Sequence, residues 1–311
     1  MPEARVLVLG AGAIGAFYGG ILARAGCEVA VLARSDYDAV AARGFRIDST
    51  LGDLSFRPAQ TLRAPEEYRG EADYLLVAVK LVRGADRAAL IRPALGAASA
   101  IVLVQNGIGI EDEVAEAFPR HELLSGVAYA AVSRTAPAQL RHHSQFTRLV
   151  LGRYPHGASA KAERFAALVQ KGGASCTLTE DIVGARWQKC AWNAVFNPVS
   201  ALGNGLGTRE ILSGEEQTAF VRAAIGEVCA LAAADGHALA PDTADRTIEG
   251  TLRLPNYVSS MGQDRLAGRP METEALVGNA VRAARRLGVA APRLETLYAL
   301  LRMLESAPGA R

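Results

Sequence analysis

The feature that most narrows the choice of fold lies near the N-terminus, where Arg5–Leu9 (RVLVL) runs straight into Gly10-Ala11-Gly12-Ala13-Ile14-Gly15. The apolar run is short, rich in β-branched residues and almost free of polar alternation, as a strand covered on both faces should be. A helical pattern through Phe17, Ile21 and Leu22 follows, then Gly26, then a second strand pattern at 28–33 (EVAVLA). By itself a G-x-G-x-x-G string is weak. Set between a strand and a helix, with a second strand inside about thirty residues, it predicts a dinucleotide-binding turn rather than a merely structural one. Gly10 permits the tight turn, Gly12 lets the backbone approach a pyrophosphate, and Gly15 lets the helix pack close to the strand. The N–H groups of Ala11, Ala13 and Ile14 and the positive end of the helix then face the phosphates.

The end of the second strand selects the cofactor. An acidic residue there accepts hydrogen bonds from a ribose 2′-hydroxyl and favours NAD. This chain has Arg34, whose guanidinium suits a 2′-phosphate, so the expected cofactor is NADPH. Asp36, two residues on, is the residue through which the opposite preference would act, and a solvated surface arginine is the plainer alternative.

At 311 residues the chain is long for a single core, which predicts two domains. Its net charge of +2, with no basic run, offers no electrostatic case for nucleic acid or an anionic membrane surface. Cys27, Cys176, Cys190 and Cys229 lie far apart among apolar or small residues. They read as buried hydrophobes rather than as a disulfide framework or a metal site. No segment reads as the ~20 apolar residues of a membrane span, and the N-terminal apolar run leads into a turn rather than a cleavage site. The expectation is a soluble, cytoplasmic protein with neither a nucleic-acid nor a membrane partner.

Further strand patterns occur at 74–79 (YLLVAV), 100–104 (AIVLV), 124–129, 149–152 and 176–178. Two are followed directly by polar residues, Lys80 and Gln105-Asn106-Gly107. In open α/β sheets ligands sit beyond the carboxyl ends of strands, which makes Lys80 and Asn106 candidate contacts. A solvated lysine and an ordinary Asn-Gly turn weigh evenly against that on position alone. After residue 179 strand patterns stop. Helical spacing takes over at 181–203, 209–236, 242–263 and 270–287, with Asp181 placed as an N-cap and Pro270 as a first helical residue. The division is therefore 1–179, an NADP(H)-binding Rossmann-type doubly wound α/β domain, and 180–311, an all-helical substrate domain. A cleft between two such domains is a usual place for a substrate.

The stretch KCAWNAVFNP, residues 189–198, places Lys189, Asn193 and Asn197 in one column of a helix, four residues apart. Trp187, Cys190, Ala191, Trp192, Val195 and Phe196 surround them. Such a stripe needs internal partners or a ligand, and Pro198 is expected to kink or end the helix beside Asn197. A desolvated ammonium can act as a general acid, and amides can hold hydroxyl and carboxylate groups without adding charge. The plain alternative is a lysine reaching solvent above asparagines bonded to backbone.

These pieces together resemble the ketopantoate reductase (2-dehydropantoate 2-reductase) family, over nearly the whole chain. They are GAGAIG at 10–15, Arg34, VAVK ending at Lys80, QNG at 105–107, WQKCAWNAVFNP at 187–198, SSMGQD at 259–264 and GRPMETE at 268–274. The resemblance implies a 6-phosphogluconate dehydrogenase-like pairing of a Rossmann domain with a helical one. It also implies an NADPH-dependent oxidoreductase of pantothenate biosynthesis, acting on a small 2-oxo acid as monomer or homodimer. Lys189 would be the proton donor, with Glu272 contacting substrate or cofactor and orienting the lysine. Asn193, Asn197 and Ser260 would bind substrate, Asn106 both ligands, and Lys80 the cofactor. From the sequence alone Glu272 reads as a capping acid near the start of a helix, two residues from Glu274. Three positions depart from the family pattern: Gly207-Thr208 where a further amide is common, Glu272-Thr273-Glu274 in place of Glu-Ile-Asp, and Ala130 in place of a histidine. The first and third leave room for another 2-oxo acid or an imine as substrate. A non-catalytic NADP(H)-binding protein is a separate alternative, against which the set of Lys189, Asn193, Asn197, Ser260 and Glu272 stands.

Overall fold

The structure, a computed structural model, describes residues 1–97 and 99–307. It divides into two compact units. The first comprises Met1–Lys80, Asp86–Gln105 and Ile110–Ile182; the second comprises Leu81–Ala85, Asn106–Gly109 and Val183–Arg311. Two short loops within the first 179 residues thus cluster with the helical part, which a single cut at 179 does not anticipate. Both follow strand ends, and both carry groups that matter below.

The first unit is built on a ten-stranded sheet. Its strands are β1 Arg5–Leu9, β2 Glu28–Leu32, β3 Phe45–Ser49, β4 Leu54–Phe56, β5 Gln60–Leu62, β6 Tyr74–Val77, β7 Ala100–Leu103, β8 Leu123–Ala136, β9 Gln139–Arg153 and β10 Cys176–Leu178. The order is β4-β3-β9-β8-β7-β6-β1-β2-β5, with β10 beside β9. From β5 to β8 all neighbours run parallel. The inner strands are buried at almost every residue, which is why they read as unbroken apolar runs. Helices α1 Ala13–Arg24, α2 Tyr37–Arg43, α3 Arg87–Ile91, α4 Asp112–Ala117 and α5 Ala160–Lys171 complete the unit. One apolar cluster holds Phe17, Val8, Val31, Leu76 and Phe165; another holds Leu7, Leu9, Leu75, Val77 and Leu103. These alternate residues of the same strands fill the two faces of the sheet.

Strands β3 to β5 carry no clear sequence signal, being three to five residues long with polar and glycine interruptions. Strands β8 and β9 extend well beyond the expected 124–129 and 149–152. Their outer halves are polar (VSRTA and QLRHH) and become strand by pairing with each other and, through β9, with β3.

The second unit contains α6 Ile182–Leu202, α7 Thr208–Ile211, α8 Glu215–Ala234, α9 Thr243–Leu252, α10 Ser260–Leu266, a π-helical turn Glu274–Gly278, α11 Asn279–Leu287 and α12 Pro292–Ser306. Three of the expected helices differ. The 209–236 pattern breaks at Gly214, which caps α8, and 242–263 breaks at the Pro255 loop. The last does not begin at Pro270: helical structure starts at Thr273 and its first turn is π. Pro198 does not end α6, which runs on to Leu202. An interior proline costs about 3 kcal/mol; here the residues on either side, Val195, Phe196 and Ala201, are each buried in the core.

By length and composition α8 is apolar enough to cross a membrane, in contrast to the sequence expectation. Within its unit, however, Val221, Ala224, Ile225, Val228, Leu231 and Ala232 pack in the core around Trp187 and Phe196. A helix with one face in a core can be as apolar along its length as a spanning one, while its other residues, among them Glu215, Glu216 and Arg222, stay exposed.

Candidate active site

In the first unit the glycine turn has the shape its sequence predicts. Gly10 sits at φ +106°, and a Cβ there would come within 2.8 Å of the Val79 backbone nitrogen. A Cβ on Gly15 would collide with the Gly10 carbonyl oxygen. Gly12, the N-cap of α1, is exposed, and a Cβ on it would meet nothing within 4 Å. That opening lies in front of a twelve-residue helix, a position that could hold an anion such as a pyrophosphate. Around it Ala11, Ala13 and Ile14 are partly buried. Arg34 is exposed just beyond β2, as is Lys80 beyond β6. Asp36 is 4% exposed, accepting from Arg134 Nη1 at 2.8 Å and from the Ala138 N–H at 3.0 Å.

Beside the ends of β6 and β7 Gln105 is buried. It donates to the Val79 carbonyl at 2.6 Å and accepts from Arg87 at 3.3 Å. It thereby ties together the two strand ends from which the loops at 81–85 and 106–109 depart.

In the second unit, α6 brings Lys189, Asn193 and Asn197 to one face, as the four-residue spacing requires. Lys189 Nζ donates to Asn106 Oδ1 at 2.7 Å. Burial pushes the lysine pKa down to about 7; the nearby charge of Arg186 acts in the same direction, and the Glu272 carboxylate opposes both. Asn193 is 7% exposed and Asn197 1%. The Oδ1 of Asn197 has no donor among the described residues. An amide oxygen left so costs about 1–3 kcal/mol, which a ligand hydroxyl would recover.

Glu272 is buried and accepts the Leu81 N–H at 2.9 Å. It immediately precedes the helical residues rather than lying in a first turn begun by Pro270. Glu274 is engaged differently, by Tyr298 at 2.9 Å, Arg282 at 2.7 Å and Arg302 at 2.5 Å. Geometry thus separates two glutamates that the sequence leaves interchangeable. Ser260 is exposed at the first position of α10, behind Ser259, whose hydroxyl caps the helix through the Gly262 N–H at 3.1 Å.

Two contacts around Asn106 had no sequence signal. Arg186, 3% exposed, donates to the Gly107 carbonyl at 3.0 Å. Asn279 Nδ2 donates to the Ile108 carbonyl at 2.6 Å. Together they clamp the loop that presents Asn106 to Lys189. Neither residue stands out in the sequence, because each acts on a backbone carbonyl more than seventy residues away.

Comparison with known proteins decides the family. The description "Ketopantoate reductase PanE/ApbA" matches residues 6–156, and "Ketopantoate reductase PanE/ApbA C terminal" matches 181–305. The chain belongs to the ketopantoate reductase family. Among solved structures, the 2-dehydropantoate 2-reductase of Methylococcus capsulatus is 48% identical, with a TM-score of 0.92 over 98% of this chain and 99% of that one. That of Geobacter metallireducens GS-15 is 34% identical, with a TM-score of 0.91 over 96% and 99%. A 2-dehydropantoate 2-reductase from Nostoc sp. is 29% identical, over 98% of this chain and 96% of its own length. This member of the family is accordingly an oxidoreductase of the 2-dehydropantoate 2-reductase type, with an N-terminal α/β domain and a helical C-terminal domain.

Proposed function

We propose that the protein reduces the keto group of 2-dehydropantoate to the hydroxyl of pantoate, with NADPH as the cofactor and Lys189 as the proton donor. The observation that carries this reading is the desolvated Lys189, bonded to Asn106 at 2.7 Å with its pKa near 7. An amine so poised loses its proton readily at neutral pH, which an exposed lysine near 10.4 does not.

The glycine turn at 10–15 receives the pyrophosphate, and Arg34 the 2′-phosphate. When bound, NADPH supplies a hydride to the keto carbon. The substrate oxygen then takes the proton from Lys189 Nζ, leaving a neutral amine that recovers a proton from solvent. Asn106 holds the ammonium in place, and the Glu272 carboxylate favours its charged form, so the acid is present before the substrate arrives. Asn193 and Asn197 fix the hydroxyl end of the substrate, the Asn197 oxygen meeting the donor it otherwise lacks, while Ser260 meets the carboxylate. Amides and a hydroxyl suit this task because they orient an anion without neutralising the lysine.

The test is NADPH consumption with 2-dehydropantoate and a panel of 2-oxo acids, in the wild type and in Lys189→Ala. The variant should lose about 10²- to 10⁴-fold in kcat while still binding NADPH. A nearly normal kcat would remove the lysine's role. Ala130 and Gly207, both departures from the family pattern, support a second reading in which the same reaction runs on another 2-oxo acid. Turnover confined to other members of the panel would establish it.

A further inference from the structure

Asp36 is the acid through which a preference for NAD would act, and the surroundings of its carboxylate are unusual for that role. Oδ1 accepts from Arg134 Nη1 at 2.8 Å and from the Ser35 hydroxyl at 3.2 Å, while Oδ2 accepts the Ala138 N–H at 3.0 Å. Arg134 comes from the far end of β8, ninety-eight residues away, where pairing with β9 slips between Arg134 and Ala136. The same Nη1 donates to Ser35 Oγ at 3.3 Å. The guanidinium therefore lies on the Arg34-Ser35-Asp36 turn. Its side chain remains 47% exposed, while that of Asp36 is 4% exposed. Nη1 is spent on the buried carboxylate and the Ser35 hydroxyl, while about half of the Arg134 side chain stays exposed, at a turn whose first residue, Arg34, is exposed as well.

We propose that Arg134 is a second determinant of cofactor choice, which withdraws Asp36 from the ribose and adds its guanidinium, beside Arg34, to the site of the adenosine 2′-phosphate. The inference rests on the NADPH reading above and deepens it. A carboxylate whose two oxygens are already engaged is a poor acceptor for ribose hydroxyls, and its charge is offset before any phosphate arrives. A guanidinium has five N–H donors in a planar fork. With Nη1 occupied, enough remain for a charge-assisted bond to a phosphate oxygen. Two arginines and one paired aspartate leave the turn with a net positive charge facing a dianion. The competing account makes the ion pair only a clip between the 134–139 hairpin turn and the end of β2, with no contact to any ligand.

Binding of 2′,5′-ADP and of 5′-AMP, titrated calorimetrically to the whole protein, separates these accounts. Wild type should prefer 2′,5′-ADP. In Arg134→Met that ligand should weaken by about tenfold to a hundredfold, the value of one hydrogen bond to a charged group, with 5′-AMP changed less than about twofold. Arg134→Lys should recover part of the loss. Asp36→Asn combined with Arg134→Met removes the buried charge that the single variant strands, and should show the same selective loss with the fold intact. Unchanged selectivity in both methionine variants, or equal weakening of both nucleotides, overturns the proposal while leaving NADPH in place. A wild type indifferent to the 2′-phosphate overturns the NADPH reading and this inference with it.

Discussion

Lys189 carries its charge where burial disfavours it, and that has two consequences at the scale of the residue. The acid form needed for reduction is lost as pH rises through about 7, so kcat for the reduction should fall above neutrality. Stability responds in the opposite direction. The folded-state pKa lies below the unfolded value of about 10.4, so between roughly pH 7 and 10 the unfolded chain binds a proton that the folded chain does not. Folding is therefore penalised fully below about pH 7, and the penalty fades as pH rises toward 10. Lys189→Met should be more stable than wild type at pH 6–7, and the gap should close by about pH 10. Urea denaturation of both proteins across that range checks this; a pH-independent difference would contradict a lysine whose charge is disfavoured by desolvation.

At the scale of elements, helix ends and strand ends do most of the positioning. Glu227 on α8 accepts the Arg293 and Leu294 N–H groups at 3.0 Å and the Arg293 guanidinium at 3.1 Å. A buried carboxylate thus closes the first turn of α12, two of whose donors would otherwise be orphaned. Glu227→Ala should cost about 2–3 kcal/mol, and Glu227→Gln less, since an amide oxygen still accepts. The change in urea midpoint at constant slope gives the figure; a cost within about 0.5 kcal/mol would show that water replaces the cap. The π-turn Glu274–Gly278 just after Glu272 illustrates the same scale. An acid followed by an apolar helical pattern reads as an ordinary helix start. The wider turn lies where Glu274 is fastened to Arg282, within the same segment, and to Tyr298 and Arg302, the last two being partners that a local window does not contain.

For the whole molecule, the cysteines report how each core shields its thiols. Burial pushes Cys27 up to about 11 and Cys176 and Cys190 up to about 12, and raises Cys229 as well. All four are free thiols; Cys229 alone among them is only partly buried. At pH 8 a thiol reagent should modify Cys229 first in the native protein, leave the other three slow, and find four after denaturation. Rapid modification of Cys190 in the native state would mean that the core around Trp187 opens more readily than its packing implies.

The parts of this protein legible in its amino acids are those whose physics is local. The glycine turn is set by the absence of a Cβ at Gly10 and Gly15, the inner strands by unbroken apolar runs, and the polar stripe of α6 by helical periodicity. Each follows from residues within about twenty positions of one another. What tertiary structure alone decided is which groups those elements meet. It placed Asn106 on Lys189, the Leu81 N–H on Glu272 rather than Glu274, Arg186 and Asn279 on the loop at 106–109, and Arg134 on Asp36. It also made strands of the polar ends of β8 and β9 and carried α6 past Pro198. Such outcomes depend on bonds and burial between residues tens to hundreds of positions apart, and sequence periodicity holds no record of a partner at that distance.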